Sequence, residues 1–195
     1  MYLVAAFDVG KTHSGFALGK INQSNVQMLY IDCHITPAYP SKKGISKHCC
    51  TELMSYLDGT VKNLIAENCE GCQVIVVYEN CLYYRNFILQ EQNKTLHNYF
   101  KDLGYQVFPL QPKQKEGGTI SKNDSEKLVS NWLRLNQGGY LSTFTNFTRR
   151  HDVADAIRMI LFLANNENCI AELARKPTKS FSNKALFAKR TRNKK

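Results

Sequence analysis

Four acidic residues, Asp8, Glu79, Asp152 and Asp155, could together do chemistry, two at the ends of apolar runs and two at the start of one helix. Asp8 follows the apolar run Leu3, Val4, Ala5, Ala6 and Phe7, and Glu79 ends a second run, QVIVVYE, at residues 73–79. Short continuous apolar runs of this kind read as strands buried on both faces. An ionised carboxylate is costly there unless paired, so each acid must meet water, a cation or a hydrogen-bond donor where its strand emerges. Asp152 and Asp155 lie three apart in RRHDVADAIRMILFLANN and so share one face at the start of a helix. Each acid also has an ordinary reading. Asp8 can accept amide hydrogen bonds from a turn at Gly10, Lys11 and Thr12, and Asp152 can complement a helix dipole. Asp155, set between Ala154 and Ala156 near the apolar face, is less easily explained in that way. Together the four make an oxygen-only donor set that suits a hard cation such as Mg2+. A pair of such ions roughly 3.5 to 4 Å apart activates water and stabilises the leaving oxygen in phosphodiester cleavage.

The elements that must position these acids follow from periodicity. Residues 14–20 and 26–35 read as two further strands joined by a turn at 22–25, which makes an antiparallel meander with the first strand. Leu53, Met54, Leu57, Val61, Leu64 and Ile65 recur at helical spacing, interrupted by Gly59. A helical crossover of this kind would lay strand 73–79 parallel to the first and bring Glu79 beside Asp8. Residues 82–103 read as a helix and 105–110 as a last strand. The irregular stretch 111–125 carries several lysines and a Gly pair. Asn123 with Glu126 forms a capping box, so Lys122 is expected just before a helix that runs to about residue 136. Polar residues fill 137–148, and the helix bearing Asp152 and Asp155 follows, with Val153, Ala154, Ile157, Ile160, Leu161 and Ala164 on its buried side.

The 195 residues carry a net charge of +10, with 43% apolar and 22% charged residues, the composition of a soluble globular protein with one core. The charge is uneven. Residues 173–195 hold nine of the 26 basic residues and no acid, leaving 17 basic and 16 acidic residues in 1–172. A balanced domain at 1–172 and a mobile basic tail at 173–195 are therefore expected, the tail binding a polyanion by counterion release or serving as a localisation signal. No membrane span or secretory segment is expected, and seven cysteines without a regular framework fit a reducing, cytoplasmic setting. Cys69 and Cys72 have CxxC spacing, but only His48, Cys49 and Cys50 stand near enough in sequence to complete a zinc site.

Three meander strands followed by alternating helices and strands make an α/β chain with the element order of a ribonuclease H-like fold, a mixed five-stranded sheet flanked by helices. FDVGKTHSG, VVYEN and HDVADAI resemble the three acidic motifs of the RuvC-like Holliday junction resolvases, and the length and basic end resemble the poxvirus members of that family. The resemblance covers about residues 2–165. It implies that Asp8, Glu79, Asp152 and Asp155 are catalytic metal ligands for Mg2+ or Mn2+, two ions per site, and that Lys122 is the catalytic lysine. His151 is a supplementary ligand or proton carrier by the same comparison. The resemblance further implies a homodimer that binds branched DNA at a four-way junction and cuts two strands symmetrically, leaving 5'-phosphate and 3'-hydroxyl ends. Tyr83, Tyr84 and Arg85 are candidates for contact with bases or phosphates at the branch point, since aromatic faces stack on unpaired bases, or for packing against a partner subunit. Lys11, Lys113, Lys115, Arg149 and Arg150 complete the expected DNA contacts.

Two other readings stay open from sequence. DVGKT also resembles the phosphate loop of actin-like sugar kinases and chaperone ATPases, which need two such domains. A basic architectural DNA-binding protein on a decayed nuclease fold is the non-enzymatic alternative, against which stands the presence of all four acids.

Overall fold

Alternation along the first strand decides where the chemistry sits. In the computed structural model, which describes residues 1–37, 45–80, 86–111 and 113–175, β1 (Tyr2–Val9) sends Leu3, Ala5, Phe7 and Val9 to one side and Val4 and Ala6 to the other. Successive side chains on a strand point to opposite faces, so Asp8 belongs with Val4 and Ala6. In β4 (Gln73–Glu79) the same rule groups Glu79 with Ile75 and Val77, which pack in the core that contains Val4 and Ala6. The two acids thus leave the sheet on one face.

β2 (His13–Asn22) and β3 (Asn25–Ile35) complete the antiparallel meander, and β4 and β5 (Gln106–Leu110) add in parallel on the other side of β1. The sheet order is β3-β2-β1-β4-β5. Phe7 pairs with Tyr78 across the parallel ladder, which sets the next residues, Asp8 and Glu79, at neighbouring strand ends.

Helices cover both faces. On the face away from the acids lie α1 (Ile45–Tyr56), a π-helical turn (Leu57–Val61), α2 (Lys62–Asn68) and α3 (Phe87–Asp102), closing over Phe7, Phe16, Tyr78 and Phe100. The Gly59 interruption is that π turn, an extra residue absorbed without ending the helix. On the acid-bearing face lie α4 (Lys122–Asn136), α5 (Leu141–Asn146), α6 (Arg150–Ala164) and α7 (Glu167–Arg175). α6 crosses β1, β2 and β3 and buries ten of its 15 residues.

Several boundaries differ from the expected ones. Strands β2 and β3 extend to Asn22 and from Asn25, so the turn is only Gln23 and Ser24, with Gln23 in the left-handed region at φ 54°. Helix α3 begins at Phe87, with Asn86 extended and its side chain capping the amides of Ile88 and Leu89, and the expected start at residues 82–85 lies outside the described residues. The cap of α4 is Ser121, whose hydroxyl accepts from the Asp124 amide; Asn123 is already helical, and Lys122 is the first helical residue. α5 and α7 have no counterpart among the expected elements. Polar surfaces hide the period of the first, and α7 passes over the anticipated boundary at 172–173. The Ala174 carbonyl accepts from the Gln73 and Gln106 side chains, which ties α7 to the start of β4 and β5. Residues 176–195, most of the basic tail, lie outside the described residues. Among the described residues, no helix is long and apolar enough to cross a membrane.

Candidate active site

Asp8, Glu79 and Asp155 converge, each offering a carboxylate oxygen within 4.8 Å of the others. Among the described residues this is the one group of three or more His, Cys, Asp or Glu side chains placed to share a cation. Cys69 and Cys72, which flank the turn at Gly71, do not gather His48, Cys49 or Cys50 into such a group.

What lets α6 bring Asp155 down to the strand ends is the lack of a side chain at Gly15. Gly15 pairs with Asp8 in the β1–β2 ladder, and a Cβ there would stand 2.0 Å from the Asp152 carbonyl oxygen. The start of α6 rests directly on the strand backbone, and one turn later Asp155 faces the two strand-end acids.

A buried ammonium sits among the three carboxylates. Lys115 is 7% exposed, and its Nζ lies 2.7 Å from Glu79 Oε2 and 2.9 Å from Asp155 Oδ2. Sequence groups Lys115 with the DNA-contacting lysines. Its burial among carboxylates corrects that, because its charge is turned inward and paired.

The other oxygen of Asp155 is occupied from the helix side. Oδ1 accepts from Ser125 Oγ at 2.8 Å and from Arg158 Nη1 at 2.8 Å. Arg158, 2% exposed, also donates from Nε to the Glu116 carbonyl at 2.7 Å, from Nη1 to Ser125 Oγ at 3.1 Å, and from Nη2 to the Gly118 carbonyl. A return bond runs from the Glu116 amide to the Arg158 carbonyl at 3.1 Å. Gly117 and Gly118 make this possible. Both have positive φ, 79° and 67°, and the turn closes with the Gly118 amide donating to the Lys115 carbonyl at 2.8 Å. The loop that carries Lys115 is thereby clamped to the helix that carries Asp155.

Burial sets the charge states apart. Desolvation holds the Asp8 carboxyl well above its ordinary value, with the negative charges of Glu79 and Asp155 adding to it and Lys115 opposing. Burial also raises Asp155, but Lys115, Ser125 and Arg158 outweigh it and leave the carboxyl below its usual range. For Lys115, burial disfavours the charged form, yet Asp8, Asp155 and Glu79 reverse the sign and hold the ammonium more firmly protonated than a free lysine.

Asp152 stands apart from this trio. Its Oδ1 lies 3.1 Å from His151 Nε2, and the same ring nitrogen lies 3.0 Å from Lys122 Nζ. One imidazole nitrogen either accepts from the lysine or donates to the carboxylate, so proton position on His151 selects between the two partners. Arg150 reaches Glu126 at 3.3 Å, and His151 Nδ1 lies 3.8 Å from the same carboxylate. Burial raises the Asp152 carboxyl, while His151, Lys122, Arg149 and His13 pull it down without reversing the shift. Lys11, Lys113, Lys122, Arg149 and Arg150 are exposed, whereas Tyr83, Tyr84 and Arg85 lie outside the described residues.

Ser125 and Arg158 are absent from the residues expected at the site from sequence, and Lys115 is expected there only as a DNA contact. A signal for Arg158 is present: a lone cation in the apolar face of α6, three residues after an acid that needs a partner. For Lys115 only the adjacent Gly pair hints at a loop with a fixed shape.

Antiparallel β1-β2-β3 continued by parallel β4 and β5, with acids at the ends of β1 and β4 and on the last long helix, define a ribonuclease H-like α/β protein. Within that class the chain has the RuvC-like resolvase fold. The RuvC of Thermus thermophilus in complex with a Holliday junction substrate aligns with a TM-score of 0.55 at 16% identity, over 86% of this chain and 96% of that one. The fowlpox virus resolvase in complex with substrate Holliday junction DNA aligns with a TM-score of 0.59 at 13% identity, over 86% of this chain and 99% of that one. The fowlpox virus Holliday junction resolvase in a separate structure aligns at 0.51, also with 13% identity. No family model matches the sequence, and no curated protein matches it by sequence.

Proposed function

We propose that the protein is a divalent-metal-dependent endonuclease that resolves four-way DNA junctions by paired symmetric nicks. The observation that carries this reading is the convergence of Asp8, Glu79 and Asp155 at one end of a sheet whose fold is that of RuvC and the fowlpox virus resolvase. The donor set fits the ion: three carboxylates, all oxygen, partly withdrawn from water, suit Mg2+ and tolerate Mn2+. Asp8, Glu79 and Asp155 would hold one ion, and the second expected ion would draw on Asp152 one turn earlier on α6. Bound metal supplies Lewis acidity to the scissile phosphate and lowers the pKa of the attacking water.

The protein's own side chains do the remaining work. Lys122, exposed at the first turn of α4 and 3.0 Å from His151, would place positive charge where negative charge develops on phosphate oxygens. Lys11, Lys113, Arg149 and Arg150, with Tyr83, Tyr84 and Arg85, would hold the DNA backbone and branch point, and a homodimer would present two sites to opposite strands. The basic segment 173–195 would add affinity without selectivity, because phosphate contacts position a duplex but do not read it.

The test is a gel comparing a labelled four-way junction with its linear duplex, with and without Mg2+. Paired nicks in the junction alone, dependent on the cation and sealable by ligase, are expected. Binding to both DNAs without cleavage would favour the architectural DNA-binding alternative.

A further inference from the structure

Resting on the metal-dependent reading above, the geometry points to a second role in the same site: we propose that Lys115 is a built-in counter-cation that occupies the seat of the divalent ion and leaves it when the ion enters. Asp155 has two carboxylate oxygens and both are engaged. Oδ1 accepts from Ser125 and Arg158, and Oδ2 lies 2.9 Å from the Lys115 ammonium. An ion that uses Asp155 must therefore share Oδ2 with Lys115, since Oδ1 is held by a guanidinium that itself satisfies Glu116 and Gly118. The same ammonium lies 2.7 Å from Glu79 Oε2, so it spans two of the three carboxylates of the trio.

Charge balance favours exchange over coexistence. Three carboxylates face two cations, Lys115 and Arg158, at the buried end. A divalent ion added beside both would leave an excess positive charge at close range in a partly desolvated site. The same ion with Lys115 withdrawn leaves the group neutral. Like charges a few ångströms apart in such surroundings repel strongly, so the lysine yields. Arg158 does not, because its four donor contacts fix it to the 116–118 loop and to α4. Lys115 differs in having a flexible four-carbon stem on a fixed backbone, so its head can move while the loop stays. Such an arrangement keeps the carboxylates together in the absence of metal and sets a concentration threshold for the ion.

Two measurements on the full chain test this. In protein labelled with 15N at the lysine side chains, one ammonium signal protected from exchange, absent from Lys115→Gln, should be lost as Mg2+ is added to the wild type. Calorimetric titration with Mn2+ should show Lys115→Gln binding the ion tighter, by on the order of tenfold, once the competing unit charge is gone. The metal-free variant should also melt below the wild type. A Lys115 signal that persists in saturating Mg2+, or a variant that binds Mn2+ no more tightly, would overturn the exchange and make the lysine a standing partner of the ion. Should Lys115→Gln fail to fold, loss or persistence of the protected signal in the wild type decides. Failure of the wild type to take up either ion would instead bring down the metal-dependent reading, and the exchange with it.

Discussion

The two ends of the charge array on α6 use similar residue types to opposite effect. At the buried end, Asp155 is locked by Ser125 and Arg158 on one oxygen and by Lys115 on the other. At the rim, Asp152, His151, Lys122, Glu126 and Arg150 form a chain in which one imidazole nitrogen serves two partners and the exposed cations have water as an alternative. Pairs made by exposed cations such as Arg150 contribute little to stability, whereas removing one partner from a buried pair leaves an uncompensated charge. The acids lie at similar depth, Asp155 20% and Asp152 17% exposed, so it is the burial of their cations, Lys115 and Arg158 against Lys122 and Arg150, that divides the two ends.

The largest expected effect falls on chemistry at the buried end. Asp8→Asn, Glu79→Gln and Asp155→Asn should each abolish junction cleavage and leave junction binding intact, since affinity comes mainly from phosphate contacts. Binding and cleavage lost in parallel in all three would mean that the acids hold the fold together instead. At the rim, Lys122→Ala should slow single-turnover cleavage by roughly 10² to 10³, the usual cost of one transition-state charge donor. An unchanged rate would leave Lys122 as a solvated residue at the start of α4.

Stability separates the two ends in the other direction. Arg158→Met should cost about 3 to 5 kcal/mol in urea denaturation, because Asp155 and the Glu116 and Gly118 carbonyls lose a buried partner together. Arg150→Met, which breaks only the rim contact to Glu126, should cost about 0 to 1 kcal/mol. Equal losses at both positions would erase the distinction between the ends.

The smallest effect is one of pH. The Asp8 carboxyl is raised in the folded state above its ordinary value near 3.9. The folded protein then binds more protons than the unfolded chain, so Asp8 destabilises the metal-free fold as pH rises through the window between those two values. Asp8→Asn removes that penalty. Scanning calorimetry at neutral pH should show it melting higher than the parent, by about 2 to 4 °C for each kcal/mol relieved, with the gap closing below about pH 4. The further rise caused by Mg2+ should shrink in the variant. A variant that melts lower, with an undiminished response to metal, would place Asp8 in a structural hydrogen-bond network.

How far the sequence can be read follows the same division. Strand β1, strand β4 and helix α6 carry strong apolar signals, and their ends place Asp8, Glu79 and Asp155 with no knowledge of tertiary contacts. What stays hidden depends on contacts between elements. Gly15 shows no special pattern in sequence, yet its missing Cβ admits the start of α6. Lys115 looks like one more lysine in a basic loop, because inward or outward orientation of a loop side chain is decided by the Gly117–Gly118 turn and the Arg158 clamp. Asp152, equivalent to Asp155 by spacing, is drawn toward the rim by His151, whose ring meets Lys122 on α4, 29 residues away in sequence.

Everything proposed for the buried end requires Asp8, Glu79 and Asp155 to be a cation site. Crystals grown with Mn2+ and recorded at a wavelength where manganese scatters anomalously test it most directly. The expected map has an anomalous peak bonded to oxygens of at least two of these three residues, with Lys115 Nζ withdrawn from Asp155 Oδ2. A trio with no peak in saturating Mn2+ and with Lys115 still bridging Glu79 and Asp155 would contradict it.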